Sequence, residues 1–160
     1  MCQYCGCRDM PLLRDYTAEH ERVVNFGGDA VRALDAGDLD RARDLAGRLA
    51  DELRSHWRGE EDGLFAQLLD TEHDLFVEYI DPLVAEHREL GAFLASMDLA
   101  DPADEDRFRD AVFALHLHIA KEEDALFPAS VTTLDGDQWD AAIAAWHRAH
   151  PGEKMLETGI

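Results

Sequence analysis

The sequence predicts an all-α protein, an up-down-up-down four-helix bundle with an extra C-terminal helix and a short cysteine-containing N-terminal tail. Three observations predict it. Apolar residues recur at spacings of three and four in four long segments, helix-starting and helix-ending residues punctuate the intervals, and no alternating strand pattern competes. A chain of 160 residues with 46% apolar content suits one domain around one core. We place that domain at 11–150, with tails at 1–10 and 151–160.

The first helix is expected near 11–36, with a stripe of Leu12, Leu13, Tyr16, His20, Val23, Val24 and Val31, and Gly37 closes it. Asp38 then N-caps a second helix near 39–69, whose stripe is Leu45, Leu49, Leu53, His56, Glu60 and Leu64. A short helical piece near 72–80 follows. Asp81-Pro82 pairs a capping residue with a proline at the first helical position and predicts a third helix near 82–98, with Leu83, Val84, His87, Leu90 and Leu94. Asp101-Pro102 does the same for a fourth near 103–130, with Phe108, Val112, Leu115, His118, Glu122 and Leu126. A last helix near 137–148 precedes Pro151-Gly152.

Charge narrows the partners. With 35 acidic and 15 basic residues, the net charge of −20 repels phosphate backbones and anionic headgroups, which argues against nucleic acid and membrane partners. No stretch approaches the roughly 20 apolar residues of a membrane span, and the N-terminus lacks the apolar region of a secretory signal. Three crowded cysteines, Cys2, Cys5 and Cys7, make a poor disulfide framework. A cytoplasmic location is the expectation.

The polar residues inside the stripes carry the chemistry. The segment from His56 to Phe65, with Glu60-Glu61-Asp62, returns from His118 to Phe127, with Glu122-Glu123-Asp124. Ala18-Glu19-His20 and Ala85-Glu86-His87 precede the two copies. Residues four apart on a helix differ by only about 40°, so His56 with Glu60, and His118 with Glu122, project together into the core. A buried ionised carboxylate without a partner costs many kcal/mol and must neutralise or find a cation. The stripes contain no lysine or arginine. Four imidazoles and two carboxylates around one interior would hold two divalent ions, with the carboxylates bridging them. This donor set, free of thiolate, suits iron, manganese or zinc, and paired carboxylates favour redox-capable iron.

A single His-x-x-x-Glu is most often a solvated helical pair; duplication with matched flanks inside apolar stripes outweighs that reading. Glu61, Asp62, Glu123 and Asp124 lie off the stripes, as solvated groups or as outer partners, with Glu61 and Glu123 the alternative ligands. His116 sits about 200° around the helix from His118 and faces away, a lesser candidate. His73, His147 and His150 fall outside the main stripes, and Phe65, Phe127, Trp57, Trp139 and Trp146 read as packing. Gly27, Gly28, Gly59, Gly63 and Gly91 each cost about 1 kcal/mol inside a helix, leaving either an access path or close helix packing. Cys2, Cys5 and Cys7 admit three readings: a metal site lacking its fourth ligand, reducing thiols folded over the bundle, or a disordered end.

The combined pattern resembles the hemerythrin-like HHE cation-binding family over roughly residues 11–130. In that family helices 1 and 3 each supply a histidine, and helices 2 and 4 each supply His-x-x-x-Glu. His20, His56, Glu60, His87, His118 and Glu122 match those roles. The resemblance implies a non-haem di-iron centre with bridging carboxylates and an oxo or hydroxo bridge. It also implies a small-molecule partner such as O2, peroxide or nitric oxide. Oxygen carriers of the family place a second histidine one turn away on helix 3, where this chain has Leu83 and Gly91. On helix 4 they use the carboxylate five residues after the histidine, here Glu123, whereas the internal repeat points to Glu122. Some relatives ligate through a tyrosine just after the helix 2 glutamate, where Leu64 and Phe65 stand here. These departures weaken the case for reversible oxygen transport. Three functions remain in competition: a di-iron protein that binds or turns over a small oxidant, a non-enzymatic iron-responsive or iron-storage module whose folding and partner binding depend on metal loading, and a metal-free helical interaction domain.

Overall fold

The computed structural model describes residues 6–156, and these contain helices and no strand. Helix α1 spans Leu13–Asp35 and α2 spans Leu39–Gly59. Between them Gly37 takes φ +72, a left-handed turn that glycine adopts without strain. Asp38 caps α2 by accepting from the Arg41 amide. After α2 the chain winds through a π-turn at Glu60–Phe65 into α3, Ala66–Ser96. Helix α4 is Pro102–Lys121, capped by Asp101, and it passes through a second π-turn at Glu122–Leu126 into α5, Phe127–Thr133. Asp135 then forms a capping box with Gln138 and starts α6, Gly136–Ala149.

Two expectations need correction. The expected boundary at Asp81-Pro82 does not exist, because Pro82 lies inside α3. Pro82 and Glu78 are both exposed, so the carbonyl left without a donor faces water, while Phe76, Ile80 and Leu83 are buried on the other side. The break comes earlier, at Glu72, whose φ of −141 and ψ of 70 kink the helix. The second and fourth helices are also not uniform α-helices, since each widens by a π-turn at its Glu-Glu-Asp.

The interior is two apolar clusters with a polar layer between them. Leu12, Leu13, Tyr16, Leu64, Phe65, Leu126 and Phe127 belong to one. Val23, Leu49, Leu53, Phe108, Leu115 and Ile119 belong to the other. His20 falls between Tyr16 and Val23, and His56 with Glu60 between Leu53 and Leu64. Each stripe therefore crosses from one cluster to the other through its polar residues.

Both ends of the described chain close on the first cluster. Cys7 is buried there at the head of a short 3-10 turn, Cys7–Asp9. The Leu156 amide donates to Asp15 Oδ1 at 2.7 Å. Cys2 and Cys5 lie outside the described residues. Among those described, no helix is long and apolar enough to cross a membrane.

Candidate metal centre

His20, His56, Glu60, His87, His118 and Glu122 are all buried and meet in the polar layer. Their inner atoms form two groups, His20, His56, Glu60 and Glu122 in one and His87, His118 and Glu122 in the other. Glu122 turns Oε2 to His20 Nε2 at 3.1 Å and Oε1 to His118 Nε2 at 2.9 Å. Glu60 turns Oε1 to His56 Nε2 at 3.2 Å and Oε2 to His87 Nε2 at 3.7 Å. Each carboxylate thus offers one oxygen to each pair of imidazoles.

The residues fit divalent metal on two independent grounds. Both oxygens of Glu60, both of Glu122 and His20 Nε2 are buried without a hydrogen-bond partner among the described residues. Orphaned buried acceptors are costly unless something else satisfies them. Second, His87 Nε2 and His118 Nε2 stand 2.9 Å apart. Metal–nitrogen bonds of about 2.0–2.1 Å at right angles place their nitrogens about 2.9 Å apart.

An outer ring of carboxylates orients all four imidazoles. His56 Nδ1 donates to Glu19 Oε2 at 2.5 Å and His118 Nδ1 to Glu86 Oε2 at 2.6 Å. His20 Nδ1 donates to Glu123 Oε1 at 2.9 Å and His87 Nδ1 to Glu61 Oε1 at 2.8 Å. A carboxylate on Nδ1–H fixes the tautomer that leaves the Nε2 lone pair facing inward and makes it a stronger donor. The wiring is cyclic: the glutamate beside each α1 or α3 histidine serves a histidine of the next helix, and the π-turn glutamates Glu61 and Glu123 carry the ring on to α3 and α1.

The π-turns make that ring possible. An i→i+5 ladder inserts a residue into the turn, so consecutive glutamates both find inward partners, Glu60 the centre and Glu61 the ring of His87. Asp62 stays exposed beside Arg58. His116 is exposed on α4 and does not join the cluster.

Electrostatics follow from burial and these contacts. Burial alone would raise the Glu122 pKa, but the facing imidazoles of His118, His20 and His87 outweigh it and hold it well below the ordinary carboxylate range. Burial works against a charged His56, yet the charge of Glu60 and the bond to Glu19 raise its pKa well above the ordinary value. His20, His87 and His118 are raised in the same way, against burial, by their glutamates. Without metal, the facing glutamates pull all four imidazoles toward their protonated forms.

Three residues that sequence reasoning assigned no role belong to the site's surroundings. Tyr16, one turn before His20, sets its ring edge-on to His56 at 5.5 Å, with its hydroxyl buried and unpartnered among the described residues. Trp146 is more than packing, since its Nε1 donates to Glu19 Oε1 at 2.7 Å. His150 Nε2 lies 3.0 Å from the same oxygen. The glutamates Glu19 and Glu86 did carry a signal, the repeated Ala-Glu-His; Trp146 and His150 carried none. In the tail, Arg8 pairs with Glu123 at 2.5 Å.

Fold and site together define a helical cation-binding protein, in which a buried histidine and glutamate cluster crosses the core of a bundle. The family model of the Hemerythrin HHE cation binding domain matches residues 12–130. The chain belongs to that family. No curated protein and no solved structure matches it.

Proposed function

We propose that this chain is a non-haem di-iron protein, built on an up-down-up-down bundle, that binds or reacts with a small oxidant such as O2, peroxide or nitric oxide. The observation that carries this reading is the pair of orphaned carboxylates, each dividing its oxygens between two pairs of inward-facing imidazoles. His20 and His56 would hold one ion, His87 and His118 the other, and Glu60 and Glu122 would bridge. Iron bound there would supply a redox change and coordination positions left open to a small ligand. Carboxylate and imidazole donors without thiolate favour iron over structural zinc.

The chain's own residues set the access. A cavity of about 390 Å³ lies between α3 and α4, and its wall includes His87, His118, Leu90, Phe93 and Leu115. The opposite flank is covered by buried Tyr16, Phe127 and Trp146. A small neutral molecule therefore has its approach on the His87–His118 side.

A second reading, an iron-responsive module without turnover, draws support from the same burial. Four imidazoles and two carboxylates packed without metal couple folding to loading. Anaerobic iron reconstitution, metal counting and optical spectra during addition of O2, peroxide and NO test both. Two irons per chain and a ligand-dependent near-ultraviolet or visible band are expected. One zinc with no spectral response overturns the redox reading, and tight reversible binding without turnover favours the module.

A further inference from the structure

We propose that α6 belongs to the metal centre as an outer support, with Trp146 and His150 as positioning residues that act through Glu19 on His56. The two metal positions are then inequivalent. This rests on the metal reading above. The family match ends at residue 130, so α6, Gly136–Ala149, lies beyond it.

Glu19 is 1% exposed and has three partners. Its Oε2 accepts from His56 Nδ1, and its Oε1 accepts from Trp146 Nε1 with His150 Nε2 3.0 Å away. Trp146 and His150 are themselves fixed. Their rings stack at 4.2 Å, and His150 Nδ1 donates to the Trp146 carbonyl at 2.8 Å. One carboxylate thus divides its charge between a metal-facing imidazole and two groups at the end of α6. The repeat-related carboxylate, Glu86, is different: its side chain is 39% exposed, and among the described residues its second oxygen meets the mobile-stemmed cation of Lys121.

The seat of α6 is written into the repeat. Gly59 and Gly63 stand where the second copy has Lys121 and Ala125. A Cβ on Gly63 would come 3.0 Å from the Ala142 carbonyl and 3.2 Å from Ala145 Cβ. One on Gly59 would lie 3.5 Å from His150 Cε1 and 3.7 Å from Trp146 Cδ1. The two missing side chains are those that α6 displaces, and they let Trp146 and His150 descend onto Glu19.

Removing the indole N–H should concentrate the Glu19 charge on His56 Nδ1–H, making His56 a stronger donor and lowering the reduction potential of its iron. Trp146→Phe keeps the ring and drops the donor. In the iron-loaded chain, Mössbauer spectra should show one of two quadrupole doublets moved and the midpoint of the first reduction lowered. Lys121→Met should move the other doublet. His150→Phe, which keeps the stack, should act on the same doublet as Trp146→Phe and serves if that variant does not fold. Variants of Trp146 or His150 that load two irons and leave both doublets and the midpoint unchanged would overturn the proposal alone. A wild-type chain that takes up no iron would instead overturn the metal reading and this proposal with it, and metal counting separates the two failures.

Discussion

The two copies of His-x-x-x-Glu-Glu-Asp build matching interiors and unlike exteriors. In both, the histidine and first glutamate face the centre, and the second glutamate holds an imidazole on another helix. Outside that core they diverge. The first copy is roofed by α6, and its histidine leans on a buried carboxylate with aromatic and imidazole partners. The second faces a cavity, and its histidine leans on a half-buried carboxylate paired with lysine. Duplicated ligands thus fix what can be bound, while unduplicated surroundings decide how each position behaves.

The largest effect should come from the one residue common to both groups. Glu122→Ala is expected to abolish loading at both positions, because Glu122 stands closer to both pairs than Glu60 does, at 3.1 Å from His20 Nε2 and 2.9 Å from His118 Nε2. Removing one partner of a buried charged cluster typically costs about 3–5 kcal/mol, so the metal-free variant should also melt earlier. Retention of two metals by Glu122→Ala would break the bridging assignment.

Next come the outer carboxylates. Loss of such a partner typically weakens metal binding about 10–100-fold. Glu19→Gln should reach the upper part of that range and Glu86→Gln the lower, because Glu19 is buried with three partners and Glu86 is only half-buried. Competitive chelator titration of each variant reads the difference. Equal losses would mean that the exteriors do not matter.

Acid should act on both halves. Metal needs neutral imidazoles, and in the metal-free chain the facing glutamates pull His20, His56, His87 and His118 toward their protonated forms against burial. As pH falls through the raised histidine values, both positions should lose their metal. For the metal-free chain the sign reverses. Raised histidine pKa values contribute stability that is complete below the ordinary value of about 6.5 and is lost as pH rises through the folded-state values. Paired melting curves and zinc titrations across this range test it, and a zinc affinity that does not fall with pH would count against imidazole ligation.

Much of the centre was legible because its ligands interrupt helical stripes. A carboxylate such as Glu60, in line with Leu53 and Leu64, demands a cation wherever the period of 3.6 holds. The outer ring was harder to read because that period fails locally. A constant 100° per residue turns Glu61 and Glu123 away from the core, and only the π-turns bring them back to His87 and His20. Asp81-Pro82 carries a helix-start signature that burial of Phe76, Ile80 and Leu83 overrides. Trp146 and His150 reach Glu19 across more than a hundred residues of chain, a contact set by where α6 docks and by nothing in their own spacing.

The smallest expected effect tests that docking directly. On propensity alone Gly63→Ala should stabilise a helix by about 1 kcal/mol, and the second copy already carries alanine there, at exposed Ala125. Against α6 the sign should invert. The new Cβ would sit 3.0 Å from a backbone carbonyl, which cannot swing aside as a side-chain end could. Overpacking of this kind costs roughly 1–3 kcal/mol, so the net change should be a loss of up to about 2 kcal/mol, read by thermal or urea unfolding. Ala125→Gly, with no helix above it, should lose only its propensity of about 1 kcal/mol. The informative quantity is the response of Trp146. If α6 is lifted rather than the π-turn deformed, its indole loses Glu19 and its fluorescence shifts in Gly63→Ala but not in Ala125→Gly. A Gly63→Ala chain more stable than wild type would show that α6 is not seated on the first copy, and the asymmetry between the copies would lose its structural cause.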